Sequence, residues 1–93
     1  MKGKSSRKIK DGKLLRIDVE YDDKIRNVII SGDFFIYPEE SVELIEKVFE
    51  NTEINETNAY FSSIVKDISK KKKIEFIGIT ADDIADVLKE ALI

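Results

Sequence analysis

From Lys13 to Tyr21 the sequence alternates with a period of two: Leu15, Ile17, Val19 and Tyr21 fall on one side, Arg16, Asp18 and Glu20 on the other. Only an extended backbone repeats every two residues, so this stretch is a strand with one face in a core and one in water. An all-helical fold is thereby excluded, and something apolar has to cover the Leu–Ile–Val–Tyr face. Asp22-Asp23-Lys24 has the composition of a turn. Ile25 to Ser31 reads as a second strand, with Val28 and Ile30 on one side and Ile29 on the other. Gly32-Asp33 interrupts it, glycine there allowing a backbone shape that a side chain would forbid. Phe34-Phe35-Ile36-Tyr37 then reads as a third short strand. Connections this short join antiparallel neighbours, so a three-stranded antiparallel meander is expected.

The rest of the chain has helical spacing. Pro38, the only proline, is expected at the first helical position, where its missing N–H costs nothing, with Glu39 and Glu40 suiting the helix dipole. Val42, Ile45 and Phe49 form the apolar stripe of this first helix, widened by Leu44 and Val48. A second helix begins near Asn58, with Phe61, Ile64, Val65 and Ile68 at helical intervals and Lys70 to Lys73 at its C-terminal end. Ile74 to Ile79 reads as a strand or a buried connection. The last helix has the clearest start: Thr80 caps it, Asp83 stands at the capping-box position, and Ile79 staples onto Ile84. Asp is shorter than the usual Glu, which makes the expected box imperfect. The expected class is α+β, a three-stranded antiparallel sheet with three helices packed on one face.

At 93 residues, 42% hydrophobic and 38% charged, the chain has the size and composition of one soluble domain. That is too short for a dinucleotide-binding fold and a separate catalytic lobe, so any activity is simple or shared with a partner. Cysteine and histidine are both absent. This excludes disulfides, thiolate zinc sites, a Cys nucleophile and a His-based triad. The apolar runs fall far short of a membrane span, and the basic N-terminus lacks the apolar run of a signal peptide, so a cytoplasmic location is expected. Charge is uneven: Lys2, Lys4, Arg7, Lys8 and Lys10 precede the first acid, Asp11, and all 19 acids lie from there onward. Residues 1–12 are therefore read as a flexible basic arm, either seeking an anionic partner or merely solubilising, and residues 13–93 as the folded domain.

Ser31-Gly32-Asp33-Phe34-Phe35 is the most unusual local feature. Side chains alternate along a strand, so Phe34 and Phe35 cannot both enter one core, and one of them points away from the helices. An outward Phe beside a carboxylate suits a docking surface; cover by a helix or loop edge is the equal alternative. Asp11-Gly12-Lys13 could bring a backbone amide and an ammonium to a phosphate, but it lacks the spacing of a Walker motif and taken alone is a strand-entry turn. Lys70 to Lys73 could contact nucleic acid, yet on an acidic body a solvated helix end is the better reading. Asp82, Asp83 and Asp86 lack the spacing of a calcium loop and are better explained by capping and exposure.

The strand-rich half goes further. Lys10, Gly12, Lys13, Leu14, the strand from Ile25 to Ile30, Gly32-Asp33-Phe34-Phe35 and Pro38-Glu39 stand in the order found in the C-terminal domain of lipoate-protein ligases. The chain resembles in particular the archaeal type, in which that domain is a separate polypeptide. The motif-bearing part runs from about Lys8 to Phe49, and the segment from Gly78 to Leu92 is compatible with it. One departure stands out: Asp11-Gly12 replaces the family's paired glycines, which weakens the case for a phosphate approach at that turn.

The resemblance implies a two-step reaction in which lipoate and ATP give lipoyl-AMP and pyrophosphate, and an acceptor lysine then takes the lipoyl group. The catalytic large subunit would hold ATP, Mg and lipoate, with this chain as its non-catalytic accessory partner in a heterodimer, binding no cofactor alone. The acceptor would be a dehydrogenase E2 domain or a glycine-cleavage H protein. Phe34 and Phe35 are then expected to dock or support docking and Asp33 to anchor the hairpin. Lys13, with Lys10 and Gly12, would support adenylation. The alternative is a non-catalytic interaction or scaffold module unrelated to ligase chemistry; a nucleic-acid binder ranks last.

Overall fold

The computed structural model describes residues 1–9 and 13–92. In chain order they form β1 (Lys2–Ile9), β2 (Lys13–Tyr21), β3 (Ile25–Gly32), β4 (Phe35–Tyr37), α1 (Ser41–Val48), α2 (Asn58–Lys72), β5 (Glu75–Ile77) and α3 (Ala81–Ala91). β1, β2 and β3 make an antiparallel sheet in that order, while β4 and β5 make a separate antiparallel ribbon. The α+β class, with a three-stranded antiparallel sheet and three helices, is the one the periodicities indicate.

β2 sits at the centre of the sheet and behaves as its alternation requires: Leu15, Ile17, Val19 and Tyr21 are buried, and Arg16 and Glu20 face water. α3 lies against β1 and β2, α1 against β3, and α2 packs on both of these helices. The core is the layer between sheet and helices. Its largest members include Phe49 and Phe61, which meet edge to face with ring centroids 5.9 Å apart. Each such side chain taken from water contributes about 2–3 kcal/mol, which is what holds three otherwise marginal helices in place. Thr57 caps α2 by accepting from the Tyr60 N–H at 3.1 Å. The α3 capping box closes in both directions: the Asp83 N–H donates to Thr80 Oγ1 at 3.2 Å and the Thr80 N–H donates to Asp83 Oδ2 at 2.9 Å. The shorter Asp therefore suffices.

Three expectations need correction. Lys2–Ile9 is not a flexible arm but the edge strand β1, paired along its length with β2; the rest of that stretch, Lys10 to Gly12, lies outside the described residues. β1 carries no apolar alternation because its helix-facing positions are satisfied differently. Gly3 lets the strand approach α3 so closely that a Cβ would fall 1.8 Å from the Ala91 carbonyl oxygen. Ser5 donates to Glu90 at 3.0 Å, and Arg7 pairs with Glu90 and with Asp86. The segment from Phe34 to Tyr37 is likewise not the third strand of the meander: Phe35–Tyr37 leaves that sheet and pairs with Glu75–Ile77. Finally, α1 starts at Ser41, and Pro38 to Glu40 form the turn leading into it, with the Ser41 N–H donating to the Pro38 carbonyl at 2.9 Å.

Candidate functional site

The ribbon is set at its angle by two glycines. Gly32 has φ +149°, and a Cβ there would lie 2.0 Å from the Leu14 carbonyl oxygen, so only glycine lets β3 end in contact with β2. The next residue, Asp33, donates its backbone N–H to that same carbonyl at 2.9 Å. This anchors the chain as it turns out of the sheet. At the far strand, Gly78 has φ +94°, and a Cβ built on it would meet Lys13 Cγ at 3.3 Å and Phe34 Cβ at 3.7 Å. Lys13, Phe34 and Gly78 therefore meet at one point, where the sheet hands over to the ribbon.

Beyond that point the side chains alternate. Phe34 is half-buried against the core and Ile36 is buried, whereas Phe35 and Tyr37 stand 54% and 43% exposed. Pairing puts Ile77, 46% exposed, directly opposite Phe35. The Phe35 and Tyr37 rings stack with centroids 6.2 Å apart and planes 9° from parallel. Three large apolar side chains thus share one solvent face of a narrow ribbon. Isolated exposed apolar residues are ordinary, and a contiguous group with its own stacking geometry is a candidate docking surface.

Of the site residues read from sequence, Phe34 supports the ribbon from beneath and Phe35 is the outward one of the aromatic pair. Asp33 is exposed with its backbone anchored, and Lys13 stands half-buried beside Gly78. Lys10 and Gly12 lie outside the described residues. Tyr37 and Ile77 are additions. Tyr37 follows from the period of two once Phe35 is known to face outward. Ile77 depends on the long-range pairing of Phe35–Tyr37 with Glu75–Ile77, which no local pattern announces.

The other charged groups have structural work. Asp22 accepts the Lys24 backbone N–H at 2.9 Å and the Arg26 guanidinium at 3.0 Å, in that order the main reasons its carboxyl is held well below the ordinary range; the same pair raises Arg26. Asp82 is lowered by the Ser62 hydroxyl and then by Lys66. Glu46 is pushed up by burial, against the opposing effect of the Ile30 N–H that it accepts at 2.7 Å. Asp82, Asp83 and Asp86 turn to three different partners, Ser62, the Thr80 N–H and Asn58. Among the described residues no cluster of carboxylates is arranged to hold a metal ion, so these side chains do not fit a magnesium site. Lys70 to Lys73 are exposed, with Lys73 as the left-handed C-cap of α2, a solvated helix end as expected. Among the described residues no helix is long and apolar enough to cross a membrane.

No protein-family model matches the sequence. The chain is 30% identical over 77 residues to lipoate-protein ligase A subunit 2 of Thermoplasma acidophilum, an alignment spanning 82% of this chain and 77% of that protein. The chain belongs to the lipoate-protein ligase A subunit 2 family. The family fold agrees as well. A chain in the solved structure of an archaeal lipoylation system, a bi-partite lipoate protein ligase and its E2 lipoyl domain from Thermoplasma acidophilum, superposes with a TM-score of 0.78 at 27% identity. That match covers 95% of this chain and 94% of the other. The order of Lys13, Leu14, Gly32-Asp33-Phe34-Phe35 and Pro38-Glu39 that suggests this family is thus matched by similarity along most of the chain.

Proposed function

We propose that this chain is the accessory subunit of a two-part lipoate-protein ligase, docking on the catalytic large subunit through the Phe35–Tyr37–Ile77 face and enabling ATP-dependent formation of lipoyl-AMP. The observation that carries the proposal is the exposed apolar face of the ribbon, pinned to the sheet by Gly32 and Gly78 and adjoining Lys13. Membership in the subunit 2 family, whose Thermoplasma relative is named as a ligase subunit, supplies the partner.

In this mechanism the lipoate carboxylate attacks the α-phosphorus of ATP, giving the mixed anhydride lipoyl-AMP and releasing pyrophosphate. The amine of an acceptor lysine then attacks the lipoyl carbonyl, and AMP leaves. ATP with its Mg²⁺ and lipoate belong to the large subunit's pocket. This chain closes over that pocket. Closure excludes water, which would otherwise hydrolyse the anhydride, and fixes the reactants in place. The Lys13 ammonium, held where sheet meets ribbon, adds positive charge near the carboxylate–phosphate junction as negative charge builds there.

The test is lipoate-dependent ATP–pyrophosphate exchange with the two proteins mixed and with each alone. Exchange only in the mixture supports an accessory subunit required for adenylation. Full exchange by the large subunit alone sinks that role and leaves an interaction module, the second reading, which the same apolar face would serve.

A further inference from the structure

The sheet has a second unpartnered feature, on the opposite side of β2 from the β3 edge. β1 ends the strand order, and no other described segment pairs with its outer edge. The register shows which groups are left over. Met1 and Tyr21 exchange two backbone hydrogen bonds, at 2.8 and 2.9 Å. In an antiparallel ladder bonded pairs alternate with non-bonded ones, so Gly3, Ser5, Arg7 and Ile9 bond to β2. Lys2, Lys4, Ser6 and Lys8 therefore direct their N–H and C=O groups outward, and their side chains lie on the sheet face not covered by helices. The β3 edge differs: there the Glu46 carboxylate takes the Ile30 N–H.

We infer that the β1 edge takes up an acidic, extended segment of another protein as a fourth antiparallel strand. Strand addition supplies affinity through backbone bonds, and charge selects the strand. Across the open face, Lys2 stands opposite Glu20 and Lys4 opposite Asp18, so carboxylates on alternate residues of an incoming strand would continue rows of alternating sign. Lys8 stands opposite Leu14, leaving its charge with no acid across from it on β2, while Ser6 stands opposite Arg16, which Asp18 already holds at 3.2 Å. A second copy of this chain is a poor occupant: full antiparallel pairing of two β1 strands sets Lys2 against Lys8. Lysines on an edge oppose self-association. The same lysines favour an acidic strand, so protection and recognition are here one device.

The probe is a synthetic peptide of the length of β1, alternating glutamate and threonine, added at millimolar concentration to the full chain while amide exchange is followed. Exchange at Lys4, Ser6 and Lys8 is expected to slow, with no change at Gly3, Ser5 and Arg7. A peptide of the same composition with its glutamates in one block is expected to bind at least several-fold more weakly. Replacing Lys2, Lys4 and Lys8 together by Gln weakens binding about tenfold at low salt. Ser6→Pro removes one outward donor without touching the β2 bonds, and edge strands tolerate proline; it is expected to abolish protection at Lys4 and Lys8 with the lysines intact. Should that variant fail to fold, the lysine variant and the alternating protection pattern still decide. The inference is overturned by absence of protection, by equal binding of the blocked peptide, by undiminished protection in Ser6→Pro, or by the same amides being protected in a dimer without peptide.

Discussion

Replacing Phe35 by alanine separates docking from folding. A phenylalanine side chain presents on the order of 200 Å², and with 54% of Phe35 exposed, roughly 100 Å² remains for a partner to cover. At about 25 cal/mol per Å², and allowing for the methyl that alanine keeps, losing that contact weakens the complex by about 2 kcal/mol, or ~30-fold in Kd. The isolated chain loses the stacking on Tyr37 and the part of the ring already covered, about 1–2 kcal/mol, and its Tm falls by about 5–15 °C. Ile29→Ala is the matched control, because Ile29 is 52% exposed but lies on the open face of the three-stranded sheet. Calorimetric titration against the catalytic subunit gives both affinities, and thermal unfolding of each free variant gives the stabilities. If Phe35→Ala binds within about twofold of the parent, or if Ile29→Ala costs as much, the ribbon is not the docking face.

Gly32→Ala drives a methyl group into the Leu14 carbonyl at a positive φ and should destabilise the free chain by about 2–4 kcal/mol, lowering Tm by at least ~10 °C; an unchanged Tm would show that this turn relaxes freely. Lys13→Ala should slow lipoate-dependent pyrophosphate exchange while sparing transfer from preformed lipoyl-AMP, and equal loss in both half-reactions would remove Lys13 from the adenylation step. Two classes of carboxylate should give stability opposite slopes with pH. Asp22 and Asp82, both lowered from 3.8, contribute stability that is present above that value and lost as pH falls below it. Glu46, raised from 4.5, favours the fold while protonated and withdraws that contribution as pH rises from 4.5 through its folded value. Glu46→Gln should therefore flatten the pH dependence above 4.5 in thermal melts, with an amide oxygen still accepting from Ile30. Glu46→Ala strands that N–H and should cost about 1–2 kcal/mol at neutral pH.

What could be read from the sequence was what a side-chain period encodes. β2 carries its burial in its own alternation, α2 carries its own in helical spacing, and α3 in that spacing and in Thr80 and Asp83. β1 was illegible because Ile9, at its very end, is the one apolar residue on its buried side. The strand is fixed by a glycine against a helix backbone and by Ser5 and Arg7 reaching Glu90, a contact between the two ends of the chain. A period-two scan sees Lys-Gly-Lys-Ser-Ser-Arg-Lys-Ile and finds no alternation, only a single apolar residue at the end. The ribbon failed for a related reason. β4 has three residues, too few to declare a partner, and β5 comes from a segment whose pattern fits a strand or a connection equally.

The site follows from that failure more than from the part that was legible. Continuous pairing of Phe35 to Tyr37 alongside β3 would have kept the aromatics on the sheet, where the helices cover one face. The Gly32 turn prevents this: with φ +149° and the Asp33 N–H tied back to Leu14, the chain leaves the sheet before Phe34. Phe34 then remains as the one aromatic packed inward, and the alternation it starts delivers Phe35 and Tyr37 to solvent. Gly78 closes the other side and brings Ile77 opposite Phe35. Two glycines thus convert a run that reads as core strand into an apolar surface held at fixed angle to Lys13. A docking surface gains from such rigidity, since little conformational entropy remains to be lost on binding.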